Sequence, residues 1–209
     1  MVYLYSPTER IIITSIINVN IMLCIERNDF YKNDEYKNAI ILADPVNGGF
    51  FFDTIKEIGY FNEGSISSLM YTLLVFPYES IRNGGYHSYD NALDEINNDI
   101  ISRKEMYGYK LIKSNYKTDG DKNPNGQHKG ERNILSHIRN AVSHASISLE
   151  DDYFIFSDIN PHSKKEVNNK IIFKFHKNNM GFLIEKILNA LMLVVKQIQQ
   201  REAERKLHG

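Results

Sequence analysis

The chain has 209 residues, 42% hydrophobic and 24% charged, with a formal net charge of −1. That is enough apolar material for one globular domain, 1–209, with a sizeable core, and it excludes whole-molecule attraction to a polyanion, so any such site must be local. The one cysteine, Cys24, lies between Leu23 and Ile25 and reads as a buried free thiol; a disulfide framework or cysteine metal cluster is excluded, and a reducing cytoplasm is the natural setting.

Ser6-Pro7-Thr8-Glu9 has the form of a capping box, with Pro7 in the first turn, and starts a helix expected to reach Arg27. Its run from Ile11 to Ile25 is broken by Thr14, Ser15, Asn18 and Asn20 and is short for a bilayer span, so it reads as a core helix, with no membrane partner expected. Asn28 to Asn33 is turn-like, Tyr36 to Ala43 a short helix, and Asp44 to Gly49 a loop that lacks the Lys-Ser/Thr of a phosphate-binding loop. Phe50-Phe51-Phe52, Ile55 and Ile58 to Phe61 read as aromatic core on a short helix. A helix capped at Ser65 should bury Leu69, Leu73, Leu74 and Phe76, with Pro77 kinking or ending it. After the break at Asn83-Gly84-Gly85, a helix from Tyr89 to about Lys104 carries Leu93, Ile96, Ile100 and Ile101 at helical spacing. Its acids Asp94, Glu95 and Asp99 have no partner at ligand spacing and read as a solvated face rather than a metal site.

Lys110 to Gly130 is the compositional outlier. From 118 to 130 it has almost no apolar residue and several turn formers, so it reads as a flexible loop. Lys110, Lys113, Lys117, Lys122 and Lys129 make it locally basic, and Tyr116 and His128 are able to stack on bases. A basic loop leading into an Arg/His helix suits an RNA partner; an ordinary solvated loop has the same composition.

The loop feeds Glu131 to Ser146, where one phrase occurs twice, a heptad apart. Arg132-Asn133-Ile134-Leu135-Ser136-His137 precedes Arg139-Asn140-Ala141-Val142-Ser143-His144. Wound as a helix at roughly 100° per residue, the apolar residues gather on one arc of about 120°. Arg132, Asn133, Ser136, His137, Arg139, Asn140, Ser143 and His144 fill the remainder. This polar face lacks the Lys, Glu, Asp and Gln of an ordinary solvated face. It offers guanidinium groups, which grip phosphate through a planar fork of donors, and imidazoles, which move protons near neutral pH. Arg139 and His144 diverge by about 140° around the axis, which suits a site completed by a second copy of the helix.

Beyond it, Ile147 to Leu149 and Tyr153 to Phe156 flank Glu150-Asp151-Asp152 as a β-hairpin, Lys170 to Phe175 alternates as a third strand, and a helix capped at Asn178 or Asn179 runs from about Met180 to Lys206.

Arg139-Asn140-Ala141-Val142-Ser143-His144 resembles the signature of the HEPN superfamily, an Arg with a polar residue after it and a His after a gap of four to six, late on a helix. Phe154-Ile155-Phe156-Ser157-Asp158, the strand at Ile171 to Phe175 and the final helix resemble the elements that come after that helix in many members. The resemblance covers about residues 125 to 200 and implies a mainly α, HEPN-like bundle with a small hairpin or three-stranded sheet between the motif helix and the C-terminal helix. It further implies a metal-independent endoribonuclease without cofactor, of the kind found in toxin–antitoxin and anti-phage systems, dimerising through the 131–146 helix. Arg139 would hold the scissile phosphate, His144 would transfer protons and Asn140 would orient one or the other. Arg132, His137, Ser143, Lys129 and Lys122 would contact RNA. A toxin subgroup has Tyr two residues after the His; here that residue is Ser146, so an antitoxin working through it has no target, and any other regulator is unidentified. A HEPN module that only dimerises or binds RNA or nucleotide is the other reading.

Overall fold

The computed structural model describes residues 5–58, 62–114, 133–159 and 170–208. The first helix, α1 (Pro7–Arg27), starts at the expected capping box: the Ser6 backbone N–H donates to Glu9 Oε2 at 2.8 Å, and the Glu9 N–H donates to Ser6 Oγ at 3.3 Å. Ile12, Ile16 and Val19 are buried, whereas Ile17, Ile21 and Cys24 are exposed. The buried thiol expected at Cys24 is thus corrected: the apolar run is long enough to wind past the core-facing side. By length and composition α1 could cross a membrane, and only 28% of its most apolar window is buried.

A 3₁₀ turn (Phe30–Lys32) leads to α2 (Asp34–Ala43), capped by Asn33, and then to α3 (Gly48–Ile58). On α3 Phe52 is buried but Phe50 is 68% exposed, so the aromatic run does not all enter the core; residues 59–61 lie outside the described residues. Asn62, not Ser65, caps α4 (Glu63–Met70), its side chain accepting from the Gly64 and Ser65 N–H groups at 2.9 and 3.2 Å.

Pro77 does not end this helix. A π-helical turn (Tyr71–Val75) widens the ladder, and α5 (Phe76–Gly84) continues from it. The Phe76 N–H reaches back five residues to the Tyr71 carbonyl. The ladder is therefore already re-registered where Pro77, without a donor, must be accommodated. Leu73 and Leu74 are buried, but Phe76 is 51% exposed.

After Gly85, at φ 69°, come α6 (His87–Ser102) and the single turn α7 (Lys104–Tyr107). Then β1 (Lys110–Ser114) forms at the start of the polar outlier segment, and residues 115–132, including most of the expected loop, lie outside the described residues. Helix α8 (Ile134–Ser143) precedes β2 (Ile147–Glu150), β3 (Tyr153–Ile159), β4 (Lys170–His176) and the long α9 (Met180–His208).

The sheet is antiparallel in the order β1-β4-β3-β2, so it has four strands rather than three. Strand periodicity puts Phe154, Phe156, Ile171, Phe173 and Phe175 on one buried face. Phe156 and Phe173 stack at 5.6 Å, and Phe175 meets both edge-on. Helix α8 packs across β3 and against the π turn, while α9 packs along α6 and α1. The fold is mainly α, as the sequence implies.

Candidate functional site

Helix α8 is fixed at both ends by local chemistry. At its start the Asn133 side chain accepts from the Ser136 N–H at 3.4 Å and from Asn97 Nδ2 at 3.3 Å. Asn97, buried on α6, also accepts from the Leu135 N–H at 3.0 Å, so α6 anchors this terminus. At its end the Ser146 N–H donates to the Ala141 carbonyl at 2.8 Å and the Ala145 N–H to the Val142 carbonyl at 3.1 Å. That is a Schellman arrangement, with Ala145 at φ 50° in the position glycine prefers. It stops the helix just at His144.

Ile134, Leu135, Ile138, Ala141 and Val142 are buried, as the wheel requires. His137 is buried too, at 3% exposure, which corrects its placement among residues open to RNA. Its Nδ1 lies 2.7 Å from Oδ2 of Asp158, itself 4% exposed on β3. The contact fixes the orientation of the ring, with Nδ1 turned onto the carboxyl group. The physical reason is position: His137 lies at the margin of the apolar arc, where β3 crosses the helix.

The same oxygen, Asp158 Oδ2, accepts from Asn140 Nδ2 at 3.0 Å. An acceptor-only partner orients the amide, with its nitrogen on Asp158 and its oxygen turned away. One buried carboxylate thus holds the His of the first copy and the Asn of the second. In the sequence Asp158 stands out only as the end of a strand; contact across 21 positions leaves no local signal, though an acid at an inward-facing strand position is itself unusual.

Arg139 is half-buried. Its guanidinium lies 4.0 Å above the Tyr78 ring, a cation–π contact from α8 to α5 that sequence reasoning does not find. The two residues share a cavity of about 100 Å³ with Asp90, Asp94, Asn97 and Ser136. Behind it Tyr89 is fully buried and donates to the Leu73 carbonyl at 3.1 Å; burial pushes its hydroxyl far above its ordinary range, against the pull of the Arg139 charge. His144 is exposed and does not line this cavity. Ser143 is exposed, with its hydroxyl donating to the Arg139 carbonyl at 2.8 Å. Within one chain, then, Asn140 and His137 are joined through Asp158, while Arg139 and His144 are presented separately. Arg132, Lys129 and Lys122 lie outside the described residues. Among the described residues no group of three or more His, Cys, Asp or Glu is placed to hold a metal ion.

A family model described as HEPN pEK499 p136 matches residues 21–201, and so takes in every element from the last third of α1 to most of α9. The chain belongs to this HEPN family. Membership supports, at the level of the family, a nuclease or other RNA-related role, and the helical fold with its motif helix against a small sheet agrees with it. No curated protein and no solved structure matches the chain.

Proposed function

We propose that this HEPN protein is a metal-independent endoribonuclease, acting in the cytoplasm as a toxin or anti-phage effector. The observation that carries this reading is the state of the second Arg-Asn-x-x-Ser-His phrase. His144 is exposed at the helix end, and one turn earlier Asn140 is held in a fixed orientation by a buried carboxylate. A site that must reach a substrate needs an accessible proton carrier, and rigid support beneath it.

The chemistry is transesterification. The RNA 2′-oxygen attacks the adjacent phosphorus, the P–O2′ bond forms and the P–O5′ bond breaks. His144 of one copy takes the 2′-hydroxyl proton, and His144 of a second copy donates a proton to the leaving 5′-oxygen. Arg139 leaves its place on Tyr78 to pair with the phosphate oxygens, a bidentate contact that strengthens as charge builds. Asn140 turns its amide oxygen toward an imidazole N–H. The products are a 2′,3′-cyclic phosphate and a 5′-hydroxyl end. Two copies are required because Arg139 and His144 of one helix diverge, so a homodimer through α8 composes the cleft.

The test is RNA cleavage in EDTA by the wild-type chain, Arg139→Ala and His144→Ala. Cleavage by the wild type alone, leaving cyclic-phosphate ends, supports the reading; unchanged cleavage by both variants overturns the assignment. A non-catalytic RNA- or nucleotide-binding HEPN module is the second reading. It is favoured by one observation, that Arg139 lies in an intrachain cavity away from His144. A folded, dimeric wild type that binds RNA without cutting it would select that module.

A further inference from the structure

The second face of the sheet carries a cluster that the α8 site does not use. Lys110 on β1 stands directly across from Lys174 on β4, and Lys174 in turn from Ile155 on β3. Like charges directly opposite destabilise a strand pair. An edge lysine on β1 has an ordinary explanation, since it discourages edge-to-edge association. Lys174 has not, because β4 is an inner strand.

Both lysines converge on one aromatic ring. Lys174 Nζ lies 4.0 Å and Lys110 Nζ 5.3 Å from the centre of the Tyr153 ring. Lys110 also donates to the Tyr153 hydroxyl oxygen at 3.4 Å. This leaves the phenolic O–H as a donor. His176, opposite Tyr153, packs edge-on against the ring at 5.1 Å and holds it upright. Among the described residues neither lysine pairs with a carboxylate. Of the three acids of the adjoining hairpin, Asp152 pairs with Lys177 at 2.7 Å, Glu150, across from Tyr153 on β2, accepts from the Ser148 hydroxyl at 3.3 Å, and Asp151 is exposed at the turn. Two ammonium groups and a phenol are therefore gathered with no carboxylate in ion-pair contact with either lysine among the described residues. An anion seated among them would relieve the repulsion between the lysines and accept from all three groups.

We propose that Lys110, Lys174 and Tyr153 form a phosphate-binding station for single-stranded RNA on the open face of the sheet, distinct from the α8 site. The cluster lies at the Lys110, Tyr153 and His176 ends of the strands, and is built wholly from β1, β3 and β4. A station of this kind holds the backbone of a longer strand while another part of it lies at α8. It supplies affinity without sequence preference, as backbone phosphate contacts do. The proposal rests on the RNA reading of the family but not on cleavage.

The experiment measures binding of a labelled single-stranded RNA by anisotropy over a range of salt, with His144→Ala as the common background so that no strand is cut. Lys110→Gln/Lys174→Gln should weaken binding roughly tenfold and flatten the plot of log affinity against log salt by about 1.4, the share of two phosphate contacts on a single strand. Tyr153→Phe, which keeps the ring and loses only the hydroxyl, should weaken it less. The control Lys196→Gln/Lys206→Gln, at exposed positions of α9, should leave both quantities unchanged. Equal losses in the control would mean diffuse charge rather than a station, and an unchanged affinity and slope in the folded double variant would overturn the proposal outright. Inorganic phosphate displacing the RNA at concentrations near its own binding constant would also overturn it, in favour of a small-anion site. Loss of binding in the double variant with no cleavage by the wild type keeps the station and removes the ribonuclease. Cleavage by the wild type with unaltered binding in the double variant does the reverse.

Discussion

The two copies of the Arg-Asn-x-x-Ser-His phrase have the same residue types and stand seven positions apart, a spacing over which a continuous helix drifts only about 20°. Their fates differ. In the first copy Asn133 caps the helix and is tied to Asn97, and His137 is enclosed against Asp158. In the second Asn140 reaches the same Asp158 from the half-buried side, and His144 stands exposed where the Schellman turn stops the chain. The difference is made by what crosses the helix. Strand β3 sets the Asp158 carboxylate against the first His, whereas the second His stands past the last helical residue, at the Schellman turn. A sequence repeat thus became one structural half and one presented half, joined by a single oxygen atom.

That division is open to measurement. Asp158→Ala should have the largest effect, because it removes the carboxylate shared by a buried His and a half-buried Asn. Denaturant titration should show a loss of about 3–5 kcal/mol, and a loss within experimental error would mean that the two halves are not joined there. Asn140→Ala deletes one hydrogen bond to that charged group and should cost about 2 kcal/mol. Ala145→Gly should raise stability by about 1 kcal/mol, because the residue after His144 is held at φ 50°, which an L side chain resists; a fall would show that the Ala145 methyl packs usefully. His144→Ala should change stability by less than about 0.5 kcal/mol while abolishing any cleavage. If its thermal unfolding moved as far as that of a His137→Ala variant, the contrast between the copies would be lost.

The helices are legible because their apolar spacing is regular, and the Ser6–Glu9 box because its partners are three residues apart. The hairpin at Glu150 to Tyr153 is equally local, with Asp151 and Asp152 forming the turn. What escapes the sequence is non-local or depends on degree of burial. Strand β1 reads Lys-Leu-Ile-Lys-Ser and resembles a polar loop, since its pairing with β4 lies some sixty positions away. Cys24, Phe50 and Phe76 are apolar residues on faces the core does not reach, and composition cannot distinguish those from buried ones. At the site the helix, its polar face and the exposure of His144 come from periodicity. The Asp158 anchor and the Tyr78 rest for Arg139 do not, because each is supplied by another element.

The π turn at Tyr71–Val75 has a consequence in the language of insertions and deletions. A π turn behaves as one residue added to an α-helix, and removing one residue there would restore an unbroken ladder from Glu63 toward Gly84. It would also swing everything after it by about 100°. Ile81 would leave the core, Tyr78 would leave Arg139, and Pro77 would meet a carbonyl it now avoids. A gene shortened by a single codon at this turn would therefore encode a more regular helix and an Arg139 without its aromatic rest.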